Sequence, residues 1–332
     1  MKILKILGIL VLVVVVLVVG ALAWAFHTAN ARYTKTWTAH DATFPIPFPL
    51  DTAEVAALAL EKKSAGASAK DPLDGVDLAA VANARAVARG EHLAETRLGC
   101  VGCHGKDYGG GIIVDVAPVG YWAAPNLTSG PGSVTNGFSA HDWDLAVRHG
   151  IRHTGQSSSM PCKDFTNLSD RELSDIIAYI KTRPPVDRLM KPVRLGPVFA
   201  VMTATDPNAL PAYVIDHQKP HAVEPPPEAV TLEFGEHVST TCRGCHNPKF
   251  SGGKMAGDPN MPIVANLTPD ASGLKTWTET DFVRAMHEGK RPDGSAIATA
   301  MPWQMYGKMN DTELKAIWLY LQSLPPTPKG TH

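Results

Sequence analysis

Two stretches of this chain, about 140 residues apart, say the same thing in the same order. "RGEHLAETRLGCVGCHGKDYGGG" returns as "FGEHVSTTCRGCHNPKFSGG", "APNLTSG" as "VANLTPD" and "DWDLAVRHGIRHTG" as "DFVRAMHEGKRPDG". "SSSMPC" then returns as "ATAMPW", and "SDRELSDIIAYIKTRPP" as "NDTELKAIWLYLQSLPP". A period this long is a duplicated domain rather than a solenoid. It predicts two similar folding units within the 332 residues, a length that suits about two domains.

Around the duplication lie three different kinds of sequence. From Ile6 to Phe26 no residue is charged, and as a helix this run spans about 31 Å, the hydrocarbon thickness of a bilayer. The reading is a membrane anchor over residues 1–27. A cleaved signal is the alternative, with Ala21-Leu22-Ala23 and Ala29-Asn30-Ala31 as candidate sites, although cleavable apolar regions are usually shorter. Trp24, Tyr33 and Trp37 sit where interfacial aromatics belong. Lys2 and Lys5 are nearly balanced by Arg32 and Lys35, so charge orients the helix only weakly. Residues 28–74 read as a tether, 75–190 as the first repeat domain, 191–227 as a proline-rich linker and 228–330 as the second repeat domain. Proline density through 184–228 predicts a semi-rigid connector without helix. A net charge of −1 leaves no basic excess, so nucleic acid is not an expected partner.

Each repeat closes in a predicted helix. Ser169–Glu172 and Asn310–Glu313 have the pattern of capping boxes. The stripes Leu173, Ile176, Ile177, Ile180 and Leu314, Ile317, Trp318, Leu321 follow at helical spacing. Pro184 and Pro325 stop both helices. The stripes read as core.

The chemistry concentrates in C-x-x-C-H, present as Cys100, Cys103, His104 and again as Cys242, Cys245, His246. A structural zinc site needs four ligands, usually from two adjacent pairs, whereas here each pair sits in its own repeat. A thioredoxin-like dithiol expects a strand before the motif and a helix after it. Haem attachment accounts for all three residues: the thiols bond to the haem vinyl groups and the histidine becomes an iron ligand. Two copies behind an export-type segment favour two covalently bound haem c groups.

On these residues the chain resembles class I cytochrome c over about residues 80–190 and 228–328. The resemblance implies an all-α fold: two tandem domains, joined by the proline-rich linker and preceded by one transmembrane helix. It also implies a methionine, commonly followed by proline, as second iron ligand. Met160-Pro161 in the first repeat aligns with Met301-Pro302 in the second, 56 and 55 residues after the motif histidines. The alignment selects Met301 from the several methionines of the second repeat. His149 and His153 precede Met160 and are alternative ligands, but Glu288 and Pro292 stand at the matching positions, outside a shared scheme.

Several other residues carry two readings. His92 and His237 recur within Gly-Glu-His; they orient the helix, touch a haem propionate or, more simply, are solvated. Asn126 and Asn266, in matched Asn-Leu-Thr loops, border the haem pocket or form glycosylation sequons. Tyr121, Trp122 and Trp277 are candidates for pocket walls or for ordinary core. Cys162 is left over once the haem motifs take the other four cysteines, and reads as a small buried thiol.

The function expected is electron transfer, not catalysis. A thioether donor raises the haem potential relative to two histidines. Because haem c is attached outside the cytoplasm, both domains are expected in the periplasm, on a single-pass anchor in a bacterial inner membrane. Expected partners are a dehydrogenase or quinol-oxidising complex on one side and a terminal oxidase or soluble cytochrome on the other. The motif order is also similar to that of cytochrome subunits of membrane-bound alcohol and sugar-acid dehydrogenases, although those usually carry three haems. The alternative is a dihaem enzyme, a peroxidase or thiosulfate-oxidising cytochrome, which needs one iron with an open or unusual ligand. A haem-based sensor is disfavoured, since only five residues precede the apolar run.

Overall fold

A computed structural model of the chain describes residues 2–66, 70–255 and 261–331. Residues 67–69 of the expected tether and 256–260 of the second repeat lie outside the described residues. The chain forms two compact units, each assembled from separate segments: Met1–Ala42, Val101–Thr166 and Arg183–Pro220 in one, Thr43–Cys100, Asn167–Thr182 and His221–His332 in the other.

In the first unit, helix α1 (Lys2–Thr34) carries the apolar run. Its first half exposes Ile, Leu and Val all round, while Ala25 and Ala29 are buried. These small residues mark the half of α1 that meets α7 (Pro197–Thr205), and Arg32 Nη1 donates to the Thr203 carbonyl at 2.5 Å. Helix α7 corrects the expectation of a helix-free connector. Pro197 occupies the first turn, where its missing N–H costs nothing, and residues 198–205 contain no proline.

The all-α expectation is also corrected. Strands β1 (Gly111–Val116), β2 (Gly120–Ala124) and β3 (Arg194–Leu195) form a three-stranded antiparallel sheet. The β-branched run in "GIIVDV" favours extended backbone. Gly120, at φ 129°, lies so close to the Arg194 carbonyl that a Cβ would fall 2.2 Å from it. Helix α5 (Ala140–Val147) starts from a capping box of Ser139 and Asp142.

The second unit is helical. Helix α2 (Thr52–Ser64) lies within the expected tether and is nucleated by an Asp51–Glu54 capping box. Helix α3 (Leu78–His92) packs along α6 (Asp170–Lys181), and α8 (Leu232–Ser239) packs along α12 (Asp311–Ser323). Both closing helices start in the capping boxes read from sequence. Leu173, Ile176, Ile177 and Ile180 are buried, as are Leu314, Ile317 and Leu321, with Trp318 partly so. The two crossings share one device. A Cβ on Gly90 would sit 1.9 Å from the Asp175 carbonyl oxygen, and one on Gly235 2.1 Å from that of Ala316. Only glycine lets the backbones approach this closely.

Between His92 and Cys100 the first repeat is three residues longer than the second between His237 and Cys242. That longer stretch contains a five-residue π-helical turn, Leu93–Arg97, a rare form often found at functional sites.

Candidate functional site

Each C-x-x-C-H motif occupies a short helix, α4 (Cys100–His104) and α9 (Arg243–His246, preceded by a 3₁₀ turn ending at Cys242). None of the five cysteines is in a disulfide. Both motif histidines are 7% exposed. His104 Nδ1 lies 2.9 Å from the Pro125 carbonyl and His246 Nδ1 2.8 Å from the Ala265 carbonyl. A carbonyl only accepts, so Nδ1 is the protonated nitrogen and Nε2 keeps its lone pair. Burial pushes the pKa of both rings down, against the opposing carbonyl bond, which keeps them neutral. A buried neutral imidazole, held by a backbone carbonyl with Nε2 as donor, suits an iron ligand.

The loop after each histidine is the same object twice. The N–H of Gly110 donates to His104 O at 2.9 Å, and that of Gly252 to His246 O at 3.0 Å. Four residues past each histidine a buried aromatic adopts left-handed backbone, Tyr108 at φ 56° and Phe250 at φ 58°. For a bulky residue this costs on the order of 1–2 kcal/mol. Their carbonyls accept from Leu127 N and Leu267 N, both at 2.8 Å, which brings the Asn-Leu-Thr loop against each motif.

In those loops the asparagine side chain is fully used. Asn126 Oδ1 accepts from Thr128 N and Oγ1 at 2.9 and 2.8 Å, and its Nδ2 donates to Val186 O at 2.7 Å. Asn266 repeats this with Thr268 N and Oγ1, both at 2.9 Å, and Thr327 O at 2.7 Å. Both residues are buried. The sequon reading therefore fails: the amide nitrogen that would carry a glycan is enclosed and bonded.

Met160 and Met301 sit at matching turns. Pro161 has φ −75°, ψ 57° and Pro302 φ −77°, ψ 55°. In each case the methionine carbonyl accepts from the residue after the proline, Cys162 N at 2.8 Å and Trp303 N at 2.7 Å. These are inverse γ-turns. Proline fixes the φ that the turn requires, which explains why it follows methionine in both repeats. Both methionines are partly buried.

The alternative ligands have other partners. His149 lies 3.4 Å from Asp144 and 3.1 Å from His217, and the exposed His153 lies 2.9 Å from Asp142. Cys162 is fully buried; burial pushes its thiol pKa up to about 12, and Sγ donates to the Ala146 carbonyl. It is an unreactive core thiol. Trp122 stacks edge-on to Phe199 at 4.1 Å, and Trp277 packs on the second-repeat core.

His92 and His237 depart from the expectation of solvation. His92 Nε2 lies 2.8 Å from Glu313, and His237 Nε2 2.8 Å from Glu172, so each repeat's histidine meets the other repeat's glutamate. Buried Arg97 completes the group, 3.1 Å from Glu172 and 3.9 Å from Glu313. Arg97 and the glutamates' second role escaped the sequence reading. The only visible signal was the recurrence of Gly-Glu-His and of the capping-box glutamates.

The profile of the cytochrome c family matches residues 87–184 and 234–325, more than half of the chain. Among curated relatives, the cytochrome c subunit of a quinone alcohol dehydrogenase from Gluconacetobacter polyoxogenes is 26% identical over 276 residues, covering 74% of this chain and 58% of that protein. The fructose dehydrogenase cytochrome subunit of Gluconobacter japonicus is 24% identical, covering 74% of this chain and 54% of that protein. A dihaem c-type cytochrome of Cereibacter sphaeroides is 23% identical, covering 68% and 82%. The chain thus spans little more than half the length of the dehydrogenase subunits. Two matched segments, two complete attachment motifs and a neutral buried histidine in each mean that the chain belongs to the cytochrome c family, binds haem c covalently and transfers electrons.

Proposed function

We propose that this chain is a membrane-anchored dihaem relay, carrying electrons between a periplasmic or membrane dehydrogenase and a downstream respiratory acceptor. Cys100 and Cys103 hold one haem, with His104 and Met160 as axial ligands. Cys242 and Cys245 hold the other, with His246 and Met301. The observation that carries this reading is the pair of Met-Pro inverse γ-turns with the same dihedrals and the same hydrogen bond. A core methionine needs no such turn, whereas two ligands to equivalent irons need the same backbone presentation.

When bound, haem supplies one-electron exchange at an iron whose potential follows its axial donors. The protein's part is positioning. The Pro125 and Ala265 carbonyls fix the two imidazoles and raise their basicity. Asn126 and Asn266 lock the loops that carry those carbonyls. Helix α1, apolar and exposed along its first half, serves as a single-pass anchor in a bacterial inner membrane, with the haem-binding segments on the periplasmic side. The relatives that are subunits of alcohol, fructose and gluconate dehydrogenases support a dehydrogenase as electron donor.

Carbon monoxide tests the ligation. With methionine on both irons, the dithionite-reduced protein binds carbon monoxide slowly and only in part. Immediate binding at one haem would favour the enzyme alternative and overturn the relay.

A further inference from the structure

In the first unit, imidazoles outside the haem-attachment motifs gather around one buried carboxylate. We propose that His40, Asp144 and His149 form a metal site of the zinc class, separate from both haem irons. Asp144 and His149 are fully buried and His40 is half-buried. Their candidate ligand atoms all lie within 4.8 Å of one another.

The hydrogen bonds around the cluster orient its rings. His217 Nε2 lies 2.8 Å from the Ala212 carbonyl, so that nitrogen carries a proton. His149 Nδ1 lies 3.1 Å from His217 Nδ1, one nitrogen donating to the other, which turns His149 Nε2 toward Asp144 Oδ2, 3.4 Å away. The spacing is long for a charge-assisted hydrogen bond, which is about 2.7–2.9 Å. It matches two donors bound about 2 Å from one tetrahedral ion, which stand about 3.3 Å apart. His40 Nδ1 lies 3.3 Å from the His217 carbonyl, which only accepts, so Nδ1 carries the proton. His217 thus orients both histidines, the role outer residues play around zinc.

The carboxylate is prepared too. Arg148 Nε donates to Asp144 Oδ1 at 2.6 Å, which leaves Oδ2 on the side of His149. Two imidazoles and one carboxylate suit zinc among the divalent metals. His40 lies six residues beyond the end of α1, and Asp144 lies on α5. An ion here clips the segment that follows the apolar helix onto α5.

The competing occupant is a proton, with His149 as an imidazolium bonded to Asp144. Zinc content separates the two. Full-length haem-loaded protein without a histidine tag is incubated with zinc sulfate and gel-filtered, then zinc and iron are counted by mass spectrometry. The site predicts about one zinc per two irons, and at least roughly tenfold less in His149→Gln and Asp144→Asn. Zinc should also raise the wild-type melting temperature, reversibly with EDTA. His40→Gln, at the half-buried margin, gives the same loss of zinc should the buried variants misfold. Haem spectra of the three variants should match wild type. Wild-type protein that retains no zinc, or variants that retain as much, would overturn the proposal.

Discussion

Single residues set the tolerances of this fold. Gly90 and Gly235 stand where a methyl group would fall about 2 Å from a carbonyl oxygen of the facing helix. Gly90→Ala and Gly235→Ala should each destabilise by about 3 kcal/mol through overpacking, read as a lower midpoint in guanidinium. An unchanged midpoint would mean that the helices cross less tightly than described. Asn126 and Asn266 carry a comparable load, because each amide satisfies backbone groups in two loops. Asn126→Ala strands these buried groups and should cost about 2–3 kcal/mol. The Asn-Leu-Thr repeat drew attention to these residues, and the sequon pattern supplied a rival meaning. Burial removed the sequon reading, and burial at a loop cannot be read from a tripeptide.

At the scale of elements, the capping boxes and apolar stripes of α6 and α12 were legible because capping and helical packing are local in sequence. The ion group was not. His92 and Glu313 are 221 residues apart, and Glu172 meets Arg97 and His237 across 75 and 65 residues. Glu172 gives this group a pH signature. Burial pushes its pKa up, but the His237 bond, the Arg97 and His237 charges and the Ser169 bonds win, bringing it from 4.5 down to about 2. Its folded-state pKa is depressed, so the stability it contributes is present above pH 4.5 and is lost as pH falls toward 2. The amount is on the order of 3 kcal/mol. Urea midpoints measured between pH 6 and pH 3 should fall in wild type, and Glu172→Gln should flatten that fall while starting from lower stability. Parallel pH profiles would remove Glu172 from the account. The sheet was missed for another reason. The β1 run exposes most of its side chains, so it shows no inside–outside alternation, and the third strand, β3, which pairs with β2, comes from a segment more than 70 residues beyond it. Helix α7 was hidden by flanking prolines, since composition averaged over a window obscures a short proline-free stretch.

For the whole molecule, the duplication was the most legible feature and the most informative. It matched the two C-x-x-C-H motifs to each other and Met160 to Met301. Helix α1 divides into an apolar, exposed first half and a second half with small buried residues facing α7. The full chain should therefore stay with membranes through alkaline carbonate extraction. A variant beginning at Gly20 behind a cleavable export signal should be released with both haems and an unchanged visible spectrum. Release of the full chain by carbonate would remove the anchor. The central claim, two irons with histidine and methionine ligands, has a direct optical reading. Oxidised protein should show the far-red methionine–iron charge-transfer band at an intensity for two haems, and Met160→Ala and Met301→Ala should each remove about half of it, since one thioether donor serves each iron. A wild-type band of single-haem intensity, or a substitution that leaves the band intact, would contradict the account.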